Sequence, residues 1–475
     1  MIQIKSNIYS EGEYLRFMVL RDGKIIYVGN TPLPGIDIID YSSNYIYPGF
    51  IDSHTHLLWY GLNLVRCDLS GVNSEEEIYE RIEIYLGKKS NVNYVIAEGF
   101  DETIFKKNGF PSINKMDERF PDIPVIVRRI CGHIAVVNTK AYKLLKKHID
   151  KNFDAKTGIV KEGIILSLNT VLKPGKAEKL SALKEAQKKL FSLGITTISD
   201  MATDDSFEIY NSKDLELNVF FYYPALFSKN LNEWRDNDNA VLKGLKLFTD
   251  GSIGGRTAAI SIPYTDSGTK GEIILSEKDF QKAVHEANKK NYQLAVHAIG
   301  DRAIEFALDN LKKRRNDRIE HFELSSKKHI ERVKEQKIFL SMQPNFIGNW
   351  SMPGQMYEQR LSEKYFKFNN AVNSINKQNI PMGFGSDCMP PSPIYGIESL
   401  KNAFFANQRI NPTEALKFYT EGSAEIMFEK RLYGKIKKGY YADFTILDNP
   451  IEKTAVKKLH VISTFKKGKQ VFTKE

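Results

Sequence analysis

Cysteine is scarce. Cys67, Cys131 and Cys388 are the only three in 475 residues, and no two form a Cys-x-x-Cys pair. That spacing excludes a disulfide framework and a zinc knuckle, and it agrees with a reducing cytosol. Long apolar runs are missing too: nothing approaches the roughly 18 consecutive apolar residues of a membrane-spanning helix. The opening Met1-Ile2-Gln3-Ile4-Lys5 alternates like a strand and lacks the apolar region of a signal peptide, so a cytoplasmic protein is expected. No short internal repeat or low-complexity tract is visible. Charge of one sign is only mildly in excess, 68 Lys+Arg against 58 Asp+Glu, a net +10. A basic surplus can serve nucleic acid or an acidic membrane. Here the lysines are spread along helical stretches such as 177–189 and 278–290, as on solvated helix faces. The expected partner is a small-molecule substrate, with further copies of the chain as a candidate; neither nucleic acid nor a membrane is expected.

What is present suits a large barrel with an appendage: 42% of the residues are hydrophobic, enough for a sizeable core. Residues 1–48 read as short strands and turns. Phe17-Met18-Val19-Leu20, the turn Arg21-Asp22-Gly23-Lys24 and Ile25-Ile26-Tyr27-Val28 make a hairpin pattern. The other end, 431–475, is similar, with Ala442 to Leu447 and Val461 to Phe465 strand-like. Two β-rich ends around a long middle predict one small β-domain built from both termini.

Between them, residues 49–430 alternate short apolar strands with amphipathic helices. Eight strands are expected, at 49–52, 195–198, 218–222, 244–248, 293–296, 318–320, 339–342 and 382–385, with helices at 303–314, 326–337 and 369–378 among the connections. Eight such units predict a (β/α)8 TIM barrel. About 140 residues separate the first two strands, so roughly 70–175 form an insertion, with strand-like pieces at 94–97 and 124–127. An insertion leaving a strand's C-terminal end is expected to cap the catalytic face.

The chemistry gathers at strand ends. His54-Thr55-His56 follows the first strand, and residues i and i+2 of a strand share a face. Two imidazoles roughly 6 to 7 Å apart on such a face can chelate one metal. His297 ends the fifth strand, His321 the sixth and Asp387 the eighth. Singly, each is as well explained as a core histidine or a capping carboxylate; barrel geometry brings all these ends together. Lys246 lies inside the fourth strand. It is either an outward lysine lying between helices or an inward amine able to take up carbon dioxide as a carbamate and bridge two cations.

These residues sit in motifs that resemble the metal-dependent amidohydrolase superfamily, within it the YtcJ-like group (amidohydrolase family 3). The motifs are Pro48 to His56, Gly244 to Ser252, Val296 to Ile304, Arg318-Ile319-Glu320-His321, Gly385-Ser386-Asp387, and the tail Gly434 to Gly439 with Ala442-Asp443. The resemblance covers nearly the whole chain. It implies a barrel beside a β-sandwich from both termini, and one or two divalent ions, zinc foremost. It matches His54 and His56 to first-strand ligands, Lys246 to a carbamylated bridge, His297 and His321 to second-metal ligands, and Asp387 to the last ligand and general base. A metal-activated hydroxide would then attack an amide-like, non-peptide C–N bond, with Asp387 moving the proton to the leaving amine.

His133 and Glu162 in the insertion, and Asp250 and Arg256 after the fourth strand, are weaker candidates for contact with substrate or metal. His148, His285, His329 and His460 read as structural. Two alternatives stand. A one-metal deaminase of the same superfamily commonly lacks the lysine and carries a glutamate near the fifth-strand histidine, unlike Lys246 and the His297-Ala298-Ile299-Gly300-Asp301 run here. A metal-free binding protein would have lost ligands that this chain keeps.

Overall fold

The computed structural model describes residues 1–88, 92–101, 105, 109–129, 134–145, 153–154, 156–161, 171–226, 228, 231, 234–453 and 458–474. The eight expected segments form eight strands: β1 (Phe50–Thr55), β2 (Ile195–Met201), β3 (Asn218–Pro224), β4 (Ala240–Phe248), β5 (Gln293–Ala298), β6 (Arg318–His321), β7 (Phe339–Met342) and β8 (Met382–Phe384). All are parallel and pair in chain order. The ring closes beyond β8, where the Asp387 N–H donates to the His54 carbonyl at 2.8 Å and the Ser386 N–H to Asp52 Oδ1 at 2.9 Å. Strands of a (β/α)8 barrel are covered on both faces, by the interior and by helices. β1, β2, β5, β6, β7 and β8 are accordingly buried at every position, which is why they read as short continuous runs.

The helix Glu277–Lys290 buries Phe280, Ala283 and Ala287 along one stripe and turns its lysines outward. Ser276 caps it, accepting from Asp279 N–H at 3.1 Å, and Asn291 ends it at φ +54°. Lys327–Gln336 begins with a capping box in which His329 is the reciprocal partner of Ser326, a structural role as expected. His460 pairs with Asp448 at 2.9 Å and His285 is exposed, while His148 lies outside the described residues. The helix expected over 369–378 is shorter, Val372–Asn376. Asn370 sits at φ +45° and its N–H bonds to the Glu323 carbonyl at 2.8 Å. The chain between β7 and β8 is broken into four short helices rather than one.

Both termini build one sheet of seven strands, Ile2–Ser10, Glu13–Arg21, Lys24–Gly29, Ile38–Pro48, Phe444–Leu447, Val461–Lys466 and Lys469–Thr473. The expected hairpin turn is tight, with Asp22 at φ +50° and Gly23 at φ +74°. Bulges in the first and fourth of these strands let the sheet bend around Ile4, Ile8, Met18, Ile46, Phe444 and Phe465. Bonds that fasten this sheet to the barrel include Thr445 Oγ1 to Gly194 O and Thr464 Oγ1 to Phe191 O, both 2.7 Å, and Asn218 Nδ2 to Asp443 Oδ2 at 2.8 Å. Gly194 precedes β2 and Asn218 opens β3, so the attachment is at the strands' N-terminal ends. Among the described residues, these bonds leave the C-terminal ends, where barrels carry their chemistry, free.

Residues 58–186 form a second compact unit, inserted between β1 and β2. Its six-stranded sheet includes Val95–Phe100 and Val125–Arg129, where strand pieces were expected. Its core gathers Val95, Ala97, Val125, Val127 and Val136 with Ile78 and Ile82 of the helix Glu75–Gly87. Among the described residues no helix is long and apolar enough to cross a membrane.

The barrel register makes one stability prediction. Gly244 pairs with Gln293 between β4 and β5, and a Cβ added at Gly244 would lie 1.8 Å from the Gln293 carbonyl oxygen. Backbone cannot yield to that, so Gly244→Ala should destabilise the barrel by about 1–3 kcal/mol, read as a lowered Tm by thermal denaturation. An unchanged Tm would mean that the register between β4 and β5 differs.

Candidate metal centre

The site is assembled from the C-terminal ends of β1, β4, β5, β6 and β8. On β1, Asp52 and His54 share a face. Asp52 accepts from the His54 N–H at 3.1 Å and from the Ser386 hydroxyl, which joins the end of β1 to the end of β8. Burial pushes the Asp52 carboxyl up to about 7. Two consecutive left-handed residues stand at the end of β6, His321 (φ +72°) with Phe322 (+54°), and two more follow β8 after Gly385 and Ser386, Asp387 (+51°) with Cys388 (+60°). Such non-glycine conformations cost roughly 1–2 kcal/mol each, and strain of this kind concentrates at functional sites. In both cases the strained pair begins with a residue that the sequence singles out.

His54, His321 and Asp387 offer ligand atoms that all lie within 4.8 Å of one another. The His54 ring centre is 4.8 Å from that of His321 and 5.6 Å from that of His56. His56 Nε2 is 3.1 Å and His54 Nε2 3.8 Å from Asp387 Oδ1. Burial holds both His54 and His321 well below the usual imidazole range, so both are neutral with lone pairs available. For Asp387, burial works against ionisation. Hydrogen bonding to His56 and the neighbouring His54 and Lys246 outweigh it and hold the carboxyl below its ordinary value.

His297 packs its ring 4.5 Å from that of His321, but its Nε2 lies 3.0 Å from the Gly251 carbonyl. It borders the tight cluster instead of entering it. Lys246 is turned inward: it is 2% exposed, and the charges acting on it are those of Glu320, Asp387 and Arg318. Burial brings its amine down to about 8. The outward reading of this lysine is thereby excluded.

Two atoms here test whether the residues fit a metal ion. Lys246 Nζ and His321 Nδ1 are buried without a hydrogen-bond partner, a condition that folded proteins rarely tolerate. Both belong to the same cluster of neutral imidazoles and one carboxylate, the nitrogen and oxygen donor set of zinc-like ions. The residues fit.

The weaker candidates divide. Asp250 is buried and already engaged by backbone, accepting from Ile299 N–H at 3.1 Å and from Ala259 and Gly300 N–H at 2.9 Å each. It fastens the loop after β4 to the end of β5, and its Oδ1 is 3.4 Å from His297 Nε2. Arg256 forms a fork on Asp266, 3.0 Å from Nε and 2.6 Å from Nη2, within its own loop. Both therefore organise the loop. His133 and Glu162 lie outside the described residues.

Sequence reasoning missed the groups behind the centre. Glu320 holds His54 Nδ1, Arg318 holds Glu320, and Asp200 accepts the Leu57 N–H at 2.6 Å. One signal was available: Arg318 and Glu320 are charged residues two apart in an apolar strand, hence on one buried face.

Known proteins resemble this chain along most of its length. The profile described as "Amidohydrolase family" matches residues 37–472. The chain is 27% identical over 522 residues to a putative amidohydrolase, YtcJ, of Bacillus subtilis (strain 168), covering 98% of this chain and 97% of that one. It is 22% identical over 513 residues to an N-substituted formamide deformylase of Arthrobacter pascens, covering 95% and 94%. The crystal structure of an uncharacterized metal-dependent hydrolase from Pyrococcus furiosus superposes with a TM-score of 0.84 at 30% identity, covering 95% of this chain and 99% of that one.

Proposed function

The chain belongs to the amidohydrolase family, and from that premise we propose that this metal-dependent hydrolase cleaves an amide-like C–N bond of a small, non-peptide substrate. The observation that carries the reading is the pair of buried, unpartnered atoms, Lys246 Nζ and His321 Nδ1, in one cluster with His54 and Asp387. The residues that would hold the ions are His54, His56, His297, His321 and Asp387, with Lys246 joining them as a carbamate. A divalent ion bound there, zinc foremost, would supply the acidity that makes hydroxide available from water near neutral pH and would polarise the scissile carbonyl.

The chain's own groups do the rest. Asp387 is ionised at neutral pH and its side chain is 17% exposed, so it can take the proton of the attacking water and return it to the departing nitrogen. Neutral His54 and His321 contribute lone pairs without adding positive charge. Asp250 and Gly251 keep the His297 ring against His321. The formamide deformylase and amidohydrolase names of the relatives support an amide-like substrate.

A one-ion centre is the second reading. It is favoured by the three-residue size of the tight cluster and by the engagement of His297 Nε2 with Gly251.

The test is elemental analysis followed by stripping and reloading. The purified protein should carry one or two equivalents of a divalent ion. Screening N-acyl amino acids, N-substituted formamides, cyclic amides and lactones should reveal a hydrolysis that chelation removes and zinc restores. Hydrolysis that is indifferent to chelation in protein free of divalent ions would overturn the proposal.

A further inference from the structure

Behind the metal centre, in the floor of the barrel, lies a charged pair with no place in the chemistry proposed so far. Arg318 and Glu320 are both 0% exposed. The Arg318 guanidinium grips the Glu320 carboxylate with two bonds, Nε to Oε1 at 2.5 Å and Nη2 to Oε2 at 2.9 Å. It also donates to the Ser53 carbonyl at 2.5 Å, to Ser199 Oγ at 3.2 Å and to the Tyr222 hydroxyl at 3.4 Å. One side chain of β6 thus reaches β1, β2 and β3. Glu320 Oε2 contacts His54 Nδ1 in turn. Burying such a pair carries a desolvation cost that apolar residues of equal volume would avoid, so barrel filling alone does not account for it.

We infer that the Arg318–Glu320 pair is a positioning device that selects the tautomer of His54. A carboxylate offers acceptors only, and Arg318 already presents N–H donors to both of its oxygens. The proton on this side of the imidazole must therefore come from His54, as Nδ1–H. Nε2 is then left with the lone pair, 3.8 Å from Asp387 Oδ1 and within the His54–His321–Asp387 cluster. Fixing the ring by its far nitrogen orients a metal-binding histidine and raises its basicity. Arg318 keeps Glu320 in place and prevents it from turning its own oxygens toward a cation. The inference rests on the reading of His54 as a metal ligand.

Two measurements test it. In metal-free wild-type protein with 15N-labelled histidine, assigned by difference from His54→Asn, His54 should show the Nδ1–H tautomer; a protonated Nε2 would overturn the inference without any variant at Glu320. Glu320→Gln then keeps the shape. Arg318 claims the amide oxygen, leaving an NH2 donor toward His54 and moving the ring proton to Nε2. Zinc affinity, read by competition with a chelating dye, should fall about 10- to 100-fold, with the thermal transition still cooperative. Equal zinc binding and an unchanged tautomer in Glu320→Gln would sink the inference alone. Failure of the wild-type protein to bind any divalent ion would sink the metal centre, and the inference with it.

Discussion

Lys246→Ala is expected to lose both bound metal and turnover, the latter by about a hundredfold to a thousandfold, the range seen when one preorganised electrostatic partner is removed. The argument is one of charge. Two divalent ions among neutral imidazoles and one aspartate would leave about +3 in a buried pocket, and an ammonium would worsen this. The amine of Lys246, brought down to about 8 by burial, has a larger neutral fraction near pH 7 than an exposed lysine has. That neutral nitrogen can bond to the carbon of carbon dioxide and release one proton, leaving a carboxylate where a cation had been. Lys246 Nζ has no hydrogen-bond partner, so no hydrogen bond must be broken first. The modified wild-type protein should be heavier by one carbon dioxide in intact-mass measurement under bicarbonate. A short carboxylic acid should restore part of the activity of Lys246→Ala. Lys246→Arg should not recover, because its charge is permanent. Wild-type activity and metal content in Lys246→Ala would leave the histidines and Asp387 as a one-ion site.

Asp387→Asn should lower kcat by about 10²- to 10⁴-fold, the usual contribution of a positioned acid–base group. Asparagine preserves the volume and leaves the Asp387 N–H bond to the His54 carbonyl, so the junction of β8 with β1 should persist and the Tm should change little. What disappears is the ionised oxygen near His56 and His54. If Asp387 moves protons only in the transition state, kcat and kcat/KM should fall together; a rise in KM at unchanged kcat would instead make it a substrate-binding residue. Metal content must be measured alongside, since Asp387 stands in the cluster too.

The eight barrel strands were legible because most are short, largely apolar runs covered on both faces, a pattern that depends only on neighbours in sequence. His54, His297, His321 and Asp387 were legible as candidates for the same reason: each directly follows or ends such a run. The hairpin at Asp22-Gly23 could be read from two residues, since the backbone conformation needed there is local. The broken helices after β7 could not. Asn370 prefers a tertiary bond to Glu323 over continuing a helix, and propensity is blind to that competition.

By itself, then, the sequence determined the barrel, the terminal sheet and the ring of strand-end residues from which a metal centre can be built, because periodicity and strand polarity are written along the chain. The tertiary structure alone decided how those residues divide. It turned Lys246 inward, left His321 Nδ1 without a partner, engaged His297 with Gly251, and tied Asp250 and Arg256 into their loop. It also placed Glu320 behind His54, 266 positions away in sequence, and Ser386 on Asp52, 334 positions away. Which polar atoms meet across a barrel depends on the register of every intervening strand and on where the chain turns left-handed after β6 and β8, and that information exists only once the ring has closed.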